Sequence, residues 1–233
     1  QIETNLEAEF GWFDTQAQGG SLNANGQLVA GDSAGVFVVQ AISKGDSDNE
    51  ASSLVFVSPR AEIFNQLLEG GFAIYMRHAI ANVGSDQFDV ADGWHRSCSS
   101  DTARQLSDIG RDQARDIGLA MRKLGIPIST TLYSSEFCRC EESLNLLGLP
   151  GEVNLESAIT YYTYGEDSRH TRTLDFIDNL EPGEENILLM SHSFAFGAPY
   201  PSISQGYTAI FDPENDGEFI TIITDAEWKA LRE

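Results

Sequence analysis

The chain has 233 residues and a mass of 25.5 kDa, enough to bury a core without metal or disulfide staples. Hydrophobic residues at 41% and charged residues at 21% exclude a wholly disordered chain, and no apolar run reaches the ~18–20 residues of a membrane-spanning helix. Fourteen Lys and Arg against 36 Asp and Glu leave a formal charge of −22, which argues against nucleic acid and anionic membranes as partners.

Residues 1–59 differ from the rest. They open on Gln1 without an apolar leader, as a mature exported protein would, and Lys44 is their single basic residue. The segment is rich in Gly, Asn, Ser and Gln, and it contains two β-like runs, "GVFVVQAI" (35–42) and "SLVFVS" (53–58). The polar "SKGDSDNE" between them reads as a hairpin loop. Residues 1–59 are therefore expected to form a β-rich N-terminal appendage, and residues 60–233 the main domain.

From residue 60 the signals alternate. Residues 59–70 have apolar positions at helical spacing, with Pro59 at the start and Gly70 at the end. "GFAIYMR" (71–77) is a compact strand. "LSDIGRDQARDIGLAMRKLG" (106–125) is an amphipathic helix with Ser107 as N-cap and Gly125 as C-cap. "STTLYSS" (129–135) is a strand and "EFCRCEESLNLLG" (136–148) a helix. "TRTLDFIDNL" (171–180) is a further helix, and "NILLMSH" (186–192) a buried strand. Residues 207–223 read as a hairpin around "DPENDG", and the C-terminal "DAEWKALRE" as a short helix capped by Asp225. Alternating strands and helices predict an α/β fold, a three-layer sandwich with a mostly parallel central sheet flanked by helices.

In open α/β sheets the ligand sits beyond the carboxyl ends of the strands. The first strand there delivers Arg77 and His78. The second delivers Ser134 and Ser135, with Arg139 in the first turn of the next helix. The third delivers Ser191 and His192. Two arginines and two histidines at successive strand ends, in a chain with four histidines, make a phosphate pocket. Guanidinium forks match phosphoryl oxygens and stay charged. A neutral imidazole can attack phosphorus, and a second can stabilise the transferring group.

"IYMRHA", then "LSDIGRDQARDIGLAMRKLGIPISTTLYSSEFCRCEESL", then "ILLMSH" resemble the histidine phosphatase superfamily, also called phosphoglycerate mutase-like. The resemblance covers about residues 70–233. It implies a phosphatase of phosphomonoesters or phosphohistidine that works through a covalent phosphohistidine. In that reading His78 is the nucleophile, and Arg77, Arg139 and His192 bind the phosphoryl group; no metal and no organic cofactor is implied. Ala79 and Ser191 stand where the motifs have Gly, and Glu142-Ser143 where many members have Thr-Ala. Ser193 replaces the Asp of the acid phosphatase and phytase branch, which disfavours that branch. The mutase motif "Arg-His-Gly-x-Ser-x-x-Asn" is incomplete: the Ser is missing, and Asn82, a candidate substrate contact, comes two positions early. A phosphomutase and a non-catalytic phosphate-binding module are the alternatives.

The leaving oxygen needs an acid. Glu166, 27 residues past Arg139, matches the mutase-like branch, with Asp167, Asp86 and Asp101 as competitors. The polar loop 82–105 follows the nucleophile and is expected to wall the substrate pocket. Its Arg104 is expected either to contact an anionic substrate or to pair with an acid. Ten of the 14 basic residues lie from Arg77 to Arg172, a basic patch inside an acidic shell that suits a small phosphorylated substrate. Of the three cysteines, Cys98 lies in this loop, while Cys138 and Cys140 flank Arg139. They admit three free thiols or one disulfide from Cys98. A Cys98–Cys138 bond would tie the loop to the Arg-bearing helix, and it would place the protein in an oxidising, exported compartment.

Overall fold

A computed structural model describes residues 8–13, 20–22, 28–30, 35–43 and 46–57, where it defines the backbone, and residues 61–87, 93–165, 168–194 and 200–232. The chain divides into two compact units, Gln1–Asn65 and Gln66–Glu233.

In the first unit, β1 (Ala8–Phe13), β4 (Gly35–Ser43) and β5 (Asp46–Val57) form an antiparallel sheet in the order β1-β4-β5, and β2 (Gly20–Leu22) pairs with β3 (Leu28–Ala30). The long polar loop expected at 43–50 is not there. Strand β5 begins at Asp46, with Ile42 opposite Glu50 and Ser43 opposite Asp46. Ladder pairing uses backbone groups, and a hairpin needs only about two connecting residues, so a polar stretch can still be strand.

Helix α1 (Ala61–Glu69) leads to the six-stranded sheet of the second unit. Its strands are β6 (Ala73–Arg77), β7 (Thr131–Ser134), β8 (Glu152–Leu155), β9 (Ile187–Ser191), β10 (Thr208–Asp212) and β11 (Glu218–Ile223), in the order β11-β10-β6-β9-β7-β8. Strands β6, β9, β7 and β8 run parallel; β10 and β11 form the antiparallel edge. The helices are α2 (Asp108–Leu124), α3 (Cys138–Leu146), α4 (Arg169–Asp178) and α5 (Asp225–Arg232).

Strand periodicity builds the layers. Ala73, Tyr75, Ile187, Leu189, Ala209 and Phe211 share one buried cluster with Ile177 of α4. The alternate residues Ile74, Met76, Leu188, Met190 and Ile210 are buried as completely, and thus face the other way. Strand β8 escaped the sequence reading because it lies at the sheet edge and is mostly exposed, so its sequence lacks a long apolar run.

Helix ends are set by local chemistry. Ser107 Oγ accepts from Gly110 N at 3.0 Å, and Gly125 ends α2 in the left-handed conformation. The cap of α5 is Thr224 rather than Asp225. Thr224 Oγ1 accepts from Glu227 N at 3.3 Å while Glu227 Oε2 accepts from Thr224 N at 2.7 Å, a reciprocal capping box.

One close approach positions the site. The chain leaving β6 crosses α2 so tightly that a Cβ on Gly110 would lie 1.9 Å from Ile80 O. Gln113, one turn on and buried, accepts from Ile80 N at 3.0 Å and donates to Gln205 O at 3.3 Å. The "G-x-x-Q" of α2 thus fixes Ile80, the second residue beyond His78. Gly110→Ala is expected to overpack this crossing and lower the unfolding free energy by about 1–3 kcal/mol, read from denaturant titration.

Candidate active site

Parallel register brings the strand ends together. Arg77 pairs with Ser191 and Ser134 with Met190, so His78, His192 and Ser135 emerge side by side. His78 N donates to Ser191 O at 2.9 Å, and Ser135 N to Met190 O at 2.8 Å. The two imidazoles lie 5.4 Å apart, ring centre to ring centre, at 71°.

His78 is buried, with Nδ1 2.8 Å from Ala79 O. A carbonyl only accepts, so that contact selects the Nδ1–H tautomer and leaves the Nε2 lone pair for chemistry. Arg139 Nε–H points at that lone pair from 3.3 Å. Burial, and then the Arg139 charge, hold the His78 pKa well below the usual imidazole range. His192 is depressed in the same way, by burial, then Arg139, then His78. Its Nε2 lies 2.8 Å from Ser135 Oγ, and its ring packs on Phe137 at 4.8 Å and Tyr161 at 5.4 Å.

Arg139 is the most engaged group. It is 1% exposed, and its guanidinium lies 4.3 Å over the Phe137 ring. Nη1 and Nη2 donate to Oδ1 and Oδ2 of Asp86 at 2.9 and 3.1 Å, and Nη1 also approaches Arg104 O at 3.4 Å. The terminal fork is therefore held by a carboxylate.

Arg77 is half-buried. Nη1 donates to Ile203 O at 2.7 Å, and Nε is buried without a hydrogen-bond partner among the described residues. Its pKa is lowered by burial, then by the charges of Arg104 and Arg139. Arg104 pairs with Asp86 at 3.8 Å, as the pairing expectation had it, and still acts on His78.

The remaining candidates fall elsewhere. Asp86, weighed as a proton donor, spends both oxygens on Arg139. Asp101 is exposed, its backbone N–H on Ser99 Oγ. Asn82 is exposed too, and its amide donates to Leu106 O at 3.4 Å, serving the loop and not the strand-end cluster. Glu166 and Asp167 lie outside the described residues.

The departures from the motifs have structural uses. Ser191 Oγ donates to Ile159 O at 2.6 Å and meets the Tyr75 hydroxyl at 2.7 Å. Ser143 Oγ donates to Arg139 O at 2.7 Å and accepts from Ala79 N at 3.0 Å, joining the backbone just beyond His78 to the helix that carries Arg139. Cys98 and Cys138 form a disulfide, while Cys140 is a buried free thiol whose pKa burial pushes up to about 12.

Two site-flanking residues were missed in the sequence. Arg169 is buried at the first turn of α4; it donates to Ser193 O at 2.8 Å and lies 5.0 Å over Tyr161, and its charge reaches His192. Reading that helix from 171 left it in a loop. Glu136 is a buried carboxylate that receives Arg96 and Tyr164 and lies 3.4 Å from His95, fastening the loop to the start of α3. Its only sequence signal is its place between Ser135 and Arg139.

No family model and no curated protein matches the chain. Similar solved structures include the protein histidine phosphatase SixA in complex with tungstate (18% identity, TM-score 0.46, 66% of this chain and 97% of that one). Another is a phosphoserine phosphatase from Entamoeba histolytica (13%, 0.45, 66% and 96%). A third is a mycobacterial glucosyl-3-phosphoglycerate phosphatase (12%, 0.42, 61% and 90%). At such identities the functional reading rests on the site's own geometry.

The two depressed histidines predict a pH effect. Their native form is neutral, so their stabilisation is complete above the unfolded pKa of about 6.5 and is lost as pH falls from there towards the folded values. Between pH 6.5 and 5 the unfolding free energy should fall by up to about 1.4 kcal/mol per pH unit for each histidine. Denaturant titration at several pH values should find that slope reduced in His192→Gln.

Proposed function

We propose that the chain is a phosphatase of the histidine phosphatase superfamily, hydrolysing a small phosphomonoester or a phosphohistidine through a phosphoryl group on His78. One observation carries the reading: a buried, neutral imidazole with a defined nucleophilic nitrogen lies in a surplus of positive charge. Arg77, Arg104 and Arg139 act on His78 together, and Asp86 is the carboxylate that pairs with two of them. Among the described residues, the buried Arg77 Nε–H has no hydrogen-bond acceptor. A phosphoryl dianion would match that excess of positive charge and supply acceptors for its donors.

In this mechanism His78 Nε2 attacks phosphorus, and the ester P–O bond breaks. The leaving oxygen takes a proton from Glu166, an assignment that rests on the sequence resemblance. Water then attacks the phosphohistidine and gives a proton to the Glu166 carboxylate, restoring the acid; the N–P bond breaks, its electron pair returns to Nε2, and inorganic phosphate leaves as His78 returns to neutral. Arg77, Arg139 and His192 stabilise the oxygens as charge redistributes. The depressed pKa values support this scheme, because a protonated His78 has no lone pair to give.

Export is part of the proposal. The Cys98–Cys138 disulfide spans 40 residues of sequence, ties the loop to the helix of Arg139, and persists only under oxidising conditions. Among the described residues no helix is long and apolar enough to cross a membrane.

Two outcomes are expected. Enzyme quenched with denaturant during turnover of labelled 4-nitrophenyl phosphate should carry an acid-labile, base-stable phosphoryl group on His78. His78→Ala should lose both the label and turnover; an active His78→Ala enzyme would sink the mechanism. Separately, unreduced protein unfolded in denaturant should titrate one thiol. Reduction should expose three and lower stability by about 3–4 kcal/mol, the chain-entropy value for a loop of this size.

A further inference from the structure

Asp86 has no part in the mechanism just described, yet it is 7% exposed and makes more polar contacts than an idle loop acid would need. Oδ1 accepts from Arg139 Nη1 at 2.9 Å and from Arg104 N at 2.9 Å; Oδ2 accepts from Arg139 Nη2 at 3.1 Å. The neighbouring Gln87 N donates to Thr102 O at 2.8 Å, so the loop folds back on itself around this carboxylate.

A guanidinium has five N–H donors in two useful edges. The terminal edge pairs one N–H each from Nη1 and Nη2. The side edge pairs Nε–H with the other N–H of Nη2. Asp86 takes the terminal edge. The side edge then turns to His78, since Nε lies 3.3 Å from His78 Nε2. A planar group gripped at one edge and stacked on Phe137 at 4.3 Å has little freedom left. We propose that Asp86 is a positioning residue for phosphoryl transfer: by holding the terminal fork of Arg139, it aims the Nε–Nη2 edge at the phosphoryl group on its way to His78. This inference rests on the phosphatase reading above.

The alternative is a blocking role, with Asp86 standing where phosphate should bind. The stitching argues against it. Departure of Asp86 would strand the Arg104 N–H as well as the fork, and the edge that faces the nucleophile is not the one it occupies.

The test is a double-mutant cycle on the full chain, oxidised, with 4-nitrophenyl phosphate as substrate and inorganic phosphate as a binding probe. Asp86→Asn should lower kcat about 100-fold, the usual scale for a misplaced reacting group, with KM little changed. Arg139→Lys should lose activity as well. The double variant should be no worse than Arg139→Lys alone, since in this proposal the effect of Asp86 on turnover runs through that guanidinium. Losses that add overturn the proposal, as do wild-type kcat in Asp86→Asn or tighter phosphate binding by it, the mark of a blocker. If Asp86→Asn fails to fold, Asp86→Glu keeps the charge and shifts the fork by one methylene. It should lose about tenfold in kcat, and normal turnover there overturns the proposal equally. A folded wild-type protein that neither hydrolyses the ester nor binds phosphate refutes the phosphatase reading itself, and this inference with it.

Discussion

The site depends on one buried cation. Arg139 is almost fully desolvated, and a lone guanidinium there would be untenable without partners. It has an aromatic face below, a carboxylate on its terminal fork, a carbonyl beside it and the His78 Nε2 lone pair at Nε. The partners come from three stretches of chain: Phe137 from its own helix end, Asp86 and Arg104 from the loop after β6, His78 from the strand end. Removing any of them changes where the positive charge points. The same charge, second to burial, keeps both imidazoles neutral.

The rest of the unit holds these stretches at fixed distance. Parallel register between β6, β9 and β7 brings the strand ends level. Gly110 and Gln113 of α2 pin the chain just beyond His78, and Ser143 of α3 holds the backbone at Ala79. The Cys98–Cys138 bond and the Glu136 cluster fasten the far part of the loop to the start of α3. The loop is thus anchored at Asp86, at Cys98 and near Glu136, all close in sequence or space to Arg139. It thereby sets the charge around Arg139 and His78.

Much of this was legible in the sequence, for physical reasons. Buried parallel strands read as apolar runs, and the polar residue that ends each run must sit at the sheet's carboxyl edge. Arg77, His78, Ser135 and His192 follow from that, and Arg139 from helical spacing. The caps at Ser107 and Gly125 were legible because they depend on neighbours within one turn. What was hidden is long-range. The Asp86–Arg139 pair joins residues 53 apart in sequence, and nothing local separates Asp86 from the other acids. The polar start of β5 lacked an apolar signature, and Arg169 was left in a loop because the helix reading began two residues late, at 171. At α5, Asp225 and Thr224 are both capping types, and only the reciprocal bond from Glu227 decides between them.

The most direct test of this account is a crystal structure with orthovanadate, which mimics a phosphoryl group in transit. The account predicts vanadium bonded to His78 Nε2, oxygens on the Nε–Nη2 edge of Arg139 and on Arg77, and Asp86 still on the terminal fork. Vanadate seated on the terminal fork with Asp86 expelled, or bound away from His78, would contradict it.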